Sequence, residues 1–271
     1  MTCPPHILTF KTCAQLNQRY HYHFPHDERY VAEIERSLLN VGIANQAARV
    51  GASFSGVRSF ALLHGAKNVM QNISTCCEGQ GTRLHNSLPE YVFSLIVGAK
   101  AAARPGGGAP RGEEAYAGVS VDIYTTANIT FTVAGSDETV VTVGVRSTFP
   151  YFTSPATSVT VLFPGPGPDP GPDAPRGSGI AFKLALRIPS WVSTDTVPIA
   201  LNGVGGFAIG KPGSYVSFSR EWRSGDTLTL ELLPALRSVR YVGLNQVAGT
   251  TRWAYLLGPV LLASRPTTPA A

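Results

Sequence analysis

The period of the apolar residues changes near residue 100, and that change constrains the fold more than any other feature. After Asp27, which suits an N-cap, Val31, Ile34, Leu38 and Val41 recur at intervals of three and four, the spacing of one helix face. Further along, the period becomes two. Val119, Val121 and Ile123 alternate, as do Ile129, Phe131 and Val133, then Phe182, Leu184, Leu186 and Ile188, then Leu228, Leu230 and Leu232. A helix-period pattern does not settle as strands, so the expected class is α+β, with helices first and an antiparallel β-sandwich after them.

The helical part should hold two more helices: a short one carrying Cys13 through Tyr22, and one over 87–96. The latter opens on Ser87-Leu88-Pro89-Glu90, which reads as a capping box, and carries Leu88, Tyr91, Val92 and Leu95 on one face. Residues 41–75 read as extended or loop structure. Asn202-Gly203 and Ser224-Gly225-Asp226 supply turns at hairpin positions. With 28 Gly, 21 Pro and only 14% charged residues, the composition favours a turn-rich β protein. The expected division is 1–100 helical, 101–117 an Ala/Gly/Pro-rich linker, 118–264 the sandwich and 265–271 a tail. The Pro/Gly-rich stretch 164–179 inside the sandwich should be a disordered loop between two strands.

The net charge of +5 reflects few acids, with Arg and Lys scattered rather than massed. This argues against a nucleic-acid or membrane-surface role. No stretch has the length of an apolar membrane span, and Met1-Thr2-Cys3-Pro4-Pro5-His6 lacks the pattern of a secretory signal. Compartment and oligomeric state stay open.

The chemistry concentrates on cysteine. Cys76 and Cys77 are adjacent, and neighbouring cysteines rarely pair with each other because the trans peptide holds their sulfurs apart. They are better suited to one soft metal ion, with Cys13 as a third thiolate. The competing reading is three buried, inert thiols. Glu35 lies at the edge of the apolar stripe, where an acid reaches an interior cleft or lies along the surface, while Glu33 and Arg36 point outward. His21, His23 and His26 crowd a helix end beside Pro25 and read as exposed polar residues; His64 is a weaker candidate for a cleft-facing side chain. Trp191, Trp222 and Trp253 sit in strand-like segments and read as sandwich core rather than a sugar-stacking platform.

Taken in order, these segments resemble glycoside hydrolase family 127, the β-L-arabinofuranosidase-like proteins. The resemblance runs through Cys13, Tyr30-Val31-Ala32-Glu33-Ile34-Glu35-Arg36-Ser37-Leu38-Leu39-Asn40 and Cys76-Cys77-Glu78-Gly79-Gln80-Gly81. It continues in Leu186-Arg187-Ile188-Pro189-Ser190-Trp191 and in Tyr255-Leu256-Leu257-Gly258-Pro259-Val260, and covers about residues 8–264. The resemblance implies the C-terminal helices of a truncated (α/α)6 barrel followed by the sandwich. It implies Zn2+ held by Cys13, Cys76 and Cys77, with Cys76 as the nucleophile of a retaining hydrolysis of L-arabinofuranosides, and Glu35 as an acid lining the site. The implied ligands are arabinofuranoside-type glycans. Lys11 stands where the family has its glutamate ligand, Glu78 is a strained substitute for it, and the family's acid/base glutamate lies upstream of the segments matched. The alternative is a non-catalytic β-sandwich module that binds carbohydrate or a partner.

Overall fold

The computed structural model describes residues 7–25, 27–42, 87–97, 116–134, 139–151, 154–163, 179–242 and 248–262. The first helix, α1 (Ile7–His23), leads through a short turn into α2 (Glu28–Ser37), which ends in a π-helical turn, Leu38–Gly42. Asp27 caps α2 as its residue type predicts, its carboxylate accepting from the Arg29 backbone amide. Helix α1 is longer than the segment from Cys13 to Tyr22 expected for it.

The expected helix over 87–96 is a correction. Helix persists for one turn only, Pro89–Val92, and Leu88 rather than Ser87 holds the cap position without a side-chain capping bond. Phe93 then turns extended and β1 (Phe93–Ile96) begins. The reason is tertiary: Phe93 to Ile96 pair antiparallel with Val121 to Gly118, and that ladder outweighs the helical spacing of Leu88, Tyr91, Val92 and Leu95.

Two sheets form the sandwich. One contains β1, β2 (Gly118–Val121), β6 (Ile180–Ile188) and β9 (Ser214–Trp222), in that order. The other runs β3 (Ala127–Thr132), β4 (Val140–Arg146), β5 (Ala156–Leu162), β10 (Thr227–Glu231), β7 (Val197–Leu201), β8 (Val204–Gly210). A smaller sheet joins β11 (Leu236–Arg240), β12 (Trp253–Leu257) and β13 (Val260–Leu262). Among the described strands pairing is antiparallel except between β2 and β6, which run parallel; an isolated parallel bridge joins Tyr116 and Val133. The chain leaves the first sheet after β2, builds three strands of the second, and re-enters in its original direction. Gly118 is required at that junction, because a Cβ there would lie 1.9 Å from the Lys183 carbonyl oxygen.

The two large sheets share one core. Phe131 of β3 meets Phe182 of β6 edge-on at 5.8 Å between ring centres, and Phe182 in turn contacts Trp222. Asn202 and Gly203, both at positive φ, make the expected β7–β8 turn. Ser224-Gly225-Asp226 does turn the chain, but it carries β9 into β10 and therefore links the two sheets rather than closing a hairpin. Trp191 and Trp222 are core residues as expected, whereas Trp253 is 52% exposed on the small sheet, a second correction.

Alternation along β6 places Leu184, Leu186 and Ile188 in the sandwich core and Ala185 and Arg187 on the opposite face. Every residue from Leu184 to Ile188 is nevertheless buried. The outer face of β2 and β6 is roofed by α1 and α2, so the position where alternation would put a solvated arginine lies inside the protein.

Candidate functional site: a buried polar layer between helices and sandwich

Arg187 is the centre of that roofed layer. On α2, Glu28, Val31, Glu35 and Leu38 fall at steps of three, four and three, so two acids share the buried stripe with two apolar residues. Both acids clasp Arg187. Its Nε and Nη2 donate to Glu28 Oε1 at 2.9 and 2.6 Å, and Nη2 donates to Glu35 Oε2 at 3.0 Å. Its Nη1 donates to the Asp122 carbonyl at 3.0 Å. The indole N–H of Trp191 donates to Glu35 Oε2 at 2.8 Å, and the Ser190 amide to Glu28 Oε1 at 3.2 Å. Tyr124, fully buried, donates from its hydroxyl to the Arg187 carbonyl.

A second cluster adjoins the first through Asp122. Its carboxylate accepts from Ser120 Oγ at 2.8 Å, from the Tyr215 hydroxyl at 3.0 Å and from Ser94 Oγ. His21 Nε2 of α1 lies 3.4 Å from the same carboxylate, and its ring stacks on Tyr215. His21 is thus buried against the sandwich, contrary to the exposed position expected of it; His23 is exposed, and His26 lies outside the described residues. Asn40, just past α2, ties the helices to the small sheet. Its amide donates to the Pro259 carbonyl, and its oxygen accepts from the Leu261 amide, each at 2.7 Å.

Burial and partners set the charges. Burial pushes the Glu35 carboxyl above its ordinary value, because Arg187 and Trp191 counter only part of the desolvation and Oε1 has no hydrogen-bond partner. Burial works against the Arg187 charge as well, yet Glu35 and Glu28 together overcome it and hold the guanidinium above the usual arginine range. Desolvation also opposes ionisation of Asp122, but the bonds from His21, Ser94 and Ser120 bring its carboxyl below the usual value. The layer is a buried, hydrogen-bonded joint between helices and sandwich.

Of the catalytic and metal-binding residues that the resemblance implies, Glu35 alone is described with its side chain, and it sits inside this joint. Cys76, Cys77, His64 and Glu78 lie outside the described residues; Cys13 and Lys11 lie on the backbone of α1, their side chains likewise outside. Among the described residues no group of three or more His, Cys, Asp or Glu is placed to hold a metal, and no helix is long and apolar enough to cross a membrane. Sequence reasoning missed Arg187, Glu28 and Asp122, and read His21 as exposed. A signal existed for two of them: Arg187 interrupts the apolar run Leu184 to Ile188, and Glu28 lies seven residues before Glu35 on one stripe.

Residues 118–233 match the family model described as beta-L-arabinofuranosidase, GH127 middle domain. The chain is GH127-like. A solved structure titled a glycoside hydrolase superposes on this GH127-like chain with a TM-score of 0.60 at 16% identity, over 94% of this chain and 37% of that one. A GH127 beta-L-arabinofuranosidase from Geobacillus stearothermophilus T6 gives 0.53 at 20% identity, over 90% of this chain and 34% of that one. At such identities the likeness concerns the fold, and the chain spans about a third of the length of these structures. No curated protein matches it in sequence. The segment matched by that model comprises β2 to β10, with Arg187 and Asp122 on its helix-facing side and their carboxylate and imidazole partners on the helices.

Proposed function

We propose that this chain supplies the cysteine site and the sandwich of a GH127-type glycoside hydrolase that cleaves L-arabinofuranosides with retention. In this reading α1 and α2 are helices of the catalytic (α/α)6 barrel. Cys76 is the nucleophile, and Cys13, Cys76 and Cys77 are the thiolates that hold zinc. The donor set suits that ion in three positions out of four, since three thiolates are soft, anionic donors; Lys11, where the family has a carboxylate, offers no lone pair while protonated. Bound zinc would keep the thiols ionised near neutral pH.

The observation that carries the reading is the joint itself. Helix α1, whose backbone bears Cys13, meets the sandwich through the buried His21–Asp122 contact, and helix α2 through Arg187 held between Glu28 and Glu35. A buried guanidinium between two carboxylates is a poor way to gain stability and a good way to specify one orientation. Glu35 enters as a positioning residue: Arg187 and Trp191 occupy its Oε2, and what it does for the cysteines it does by fixing α2.

The test is zinc stoichiometry by elemental analysis on the purified chain, beside Cys76→Ser, with release of nitrophenol from an aryl L-arabinofuranoside as the activity readout. The expected result is near-stoichiometric zinc that falls in the variant. Metal-free protein, with Cys13→Ser and Cys77→Ser unchanged in every respect, would overturn the proposal and leave a non-catalytic sandwich module.

A further inference from the structure

The joint occupies the inner side of the helices, but their connecting turn faces outward and forms a second feature. An open hollow of about 580 Å3 lies there, lined by His23, Phe24, Asp27 and Arg29 of the helices and by Gly213 of the sandwich. That volume lies within the range of small-ligand sites. Phe24 is 54% exposed, yet its ring is held: it stacks on Tyr30 at 6.1 Å, and Tyr30 stacks on Tyr20 at 5.4 Å. Phe24 thus gives the hollow one apolar side, and Tyr30 and Tyr20 stack in a row beyond it.

The polar side is equally ordered. Arg29 Nε and Nη2 donate to the two oxygens of Asp27 at 2.8 and 2.6 Å, a two-pronged pair that stands in solvent and cancels its own charge. The Asp27 carboxyl is held below its ordinary value by the Arg29 bond, so the pair stays ionised across the neutral range. Glu28, which also lines the hollow, is turned to Arg187 of the joint. The site therefore offers donors from the guanidinium, acceptors from the carboxylate, an aromatic face and little net charge. An anion would find its cation taken, and a purely apolar ligand would strip water from an ion pair at a cost. A neutral polyhydroxylated ring satisfies both sides, since each hydroxyl both donates and accepts while the C–H face packs on the ring of Phe24.

We propose that this hollow is a saccharide-binding subsite that holds a furanose unit of an arabino-oligosaccharide. The proposal rests on the glycoside hydrolase reading for its sugar class and on the hollow for its place. His23 is ten residues from Cys13 on α1, about 15 Å along a helix axis, so the hollow lies well away from the backbone of that cysteine.

Titration calorimetry of a β-linked L-arabinofuranotriose into the full chain carrying Cys76→Ser tests it without hydrolysis. Phe24→Ala and Arg29→Met should each weaken binding about tenfold, as expected for losing a stacking face or a forked donor. Arg29 is exposed, so its variant keeps the fold even if Phe24→Ala does not, and the far-UV spectrum reports which has happened. Unchanged affinity in Arg29→Met and in a folded Phe24→Ala would overturn the subsite, as would absence of triose binding to the parent chain. The two ideas fail separately. Zinc and nitrophenol release intact, with binding indifferent to Phe24 and Arg29, removes the subsite alone; absent zinc with binding still dependent on them removes the cysteine chemistry alone.

Discussion

Replacing Arg187 by methionine tests whether the polar layer is the joint described. The substitution keeps most of the side-chain volume and removes four bonds: two to Glu28, one to Glu35 and one to the Asp122 carbonyl. It leaves Glu28 and Glu35 buried with no counter-charge among these contacts, and breaking a buried ion pair in this way costs about 3–5 kcal/mol. Glu35→Gln is the informative contrast. An amide oxygen can still accept from Arg187 and Trp191, its NH2 replaces an oxygen that has no partner, and Arg187 keeps Glu28. Its cost at pH 7 should be within about 1 kcal/mol, since the lost attraction is offset by a smaller desolvation penalty. The pH dependence follows from the raised carboxyl of Glu35. A group that binds its proton more tightly folded than unfolded loses its contribution to stability as pH rises from its unfolded value, about 4.3, through the folded one. Glutamine does not titrate, so Glu35→Gln should gain on the parent protein across that window. Urea unfolding of the full chain at pH 4 and pH 7 measures both effects. The reasoning fails if Arg187→Met unfolds within about 1 kcal/mol of the parent. It fails equally if Glu35→Gln loses ground as pH rises.

Two further outcomes follow from the sandwich. Gly118→Ala drives a methyl into the Lys183 carbonyl in the parallel β2–β6 pair, so it should cost about 3 kcal/mol, the upper end of overpacking; an unfolding midpoint equal to the parent's would contradict the close approach. Trp222→Ala should cost about 3–5 kcal/mol and Trp253→Ala about 0.5 kcal/mol, since the first ring is fully buried and the second half exposed; equal thermal shifts would place Trp253 in a core.

The features legible in the sequence are local ones. Asp27 announces α2 because a short carboxylate satisfies free helix amides wherever it stands. Asn202-Gly203 announces a hairpin because both residues tolerate positive φ. The two-residue period of Leu184, Leu186 and Ile188 announces a strand with one buried face, and the order of segments was enough to mark the chain's likeness to GH127 proteins. What the other face of that strand meets was not written in β6. Arg187 is 152 residues from Glu35 and 159 from Glu28, and only a roof of two helices turns a position that alternation assigns to solvent into a buried hub. The same cause reverses His21, drawn to Asp122 across the joint, and converts Phe93–Ile96 from helix to strand, drawn to β2. Periodicity states which residues share a face. The energy that decides whether a face meets water, a helix or another strand comes from groups far away in the chain, so it is settled only when the layers close.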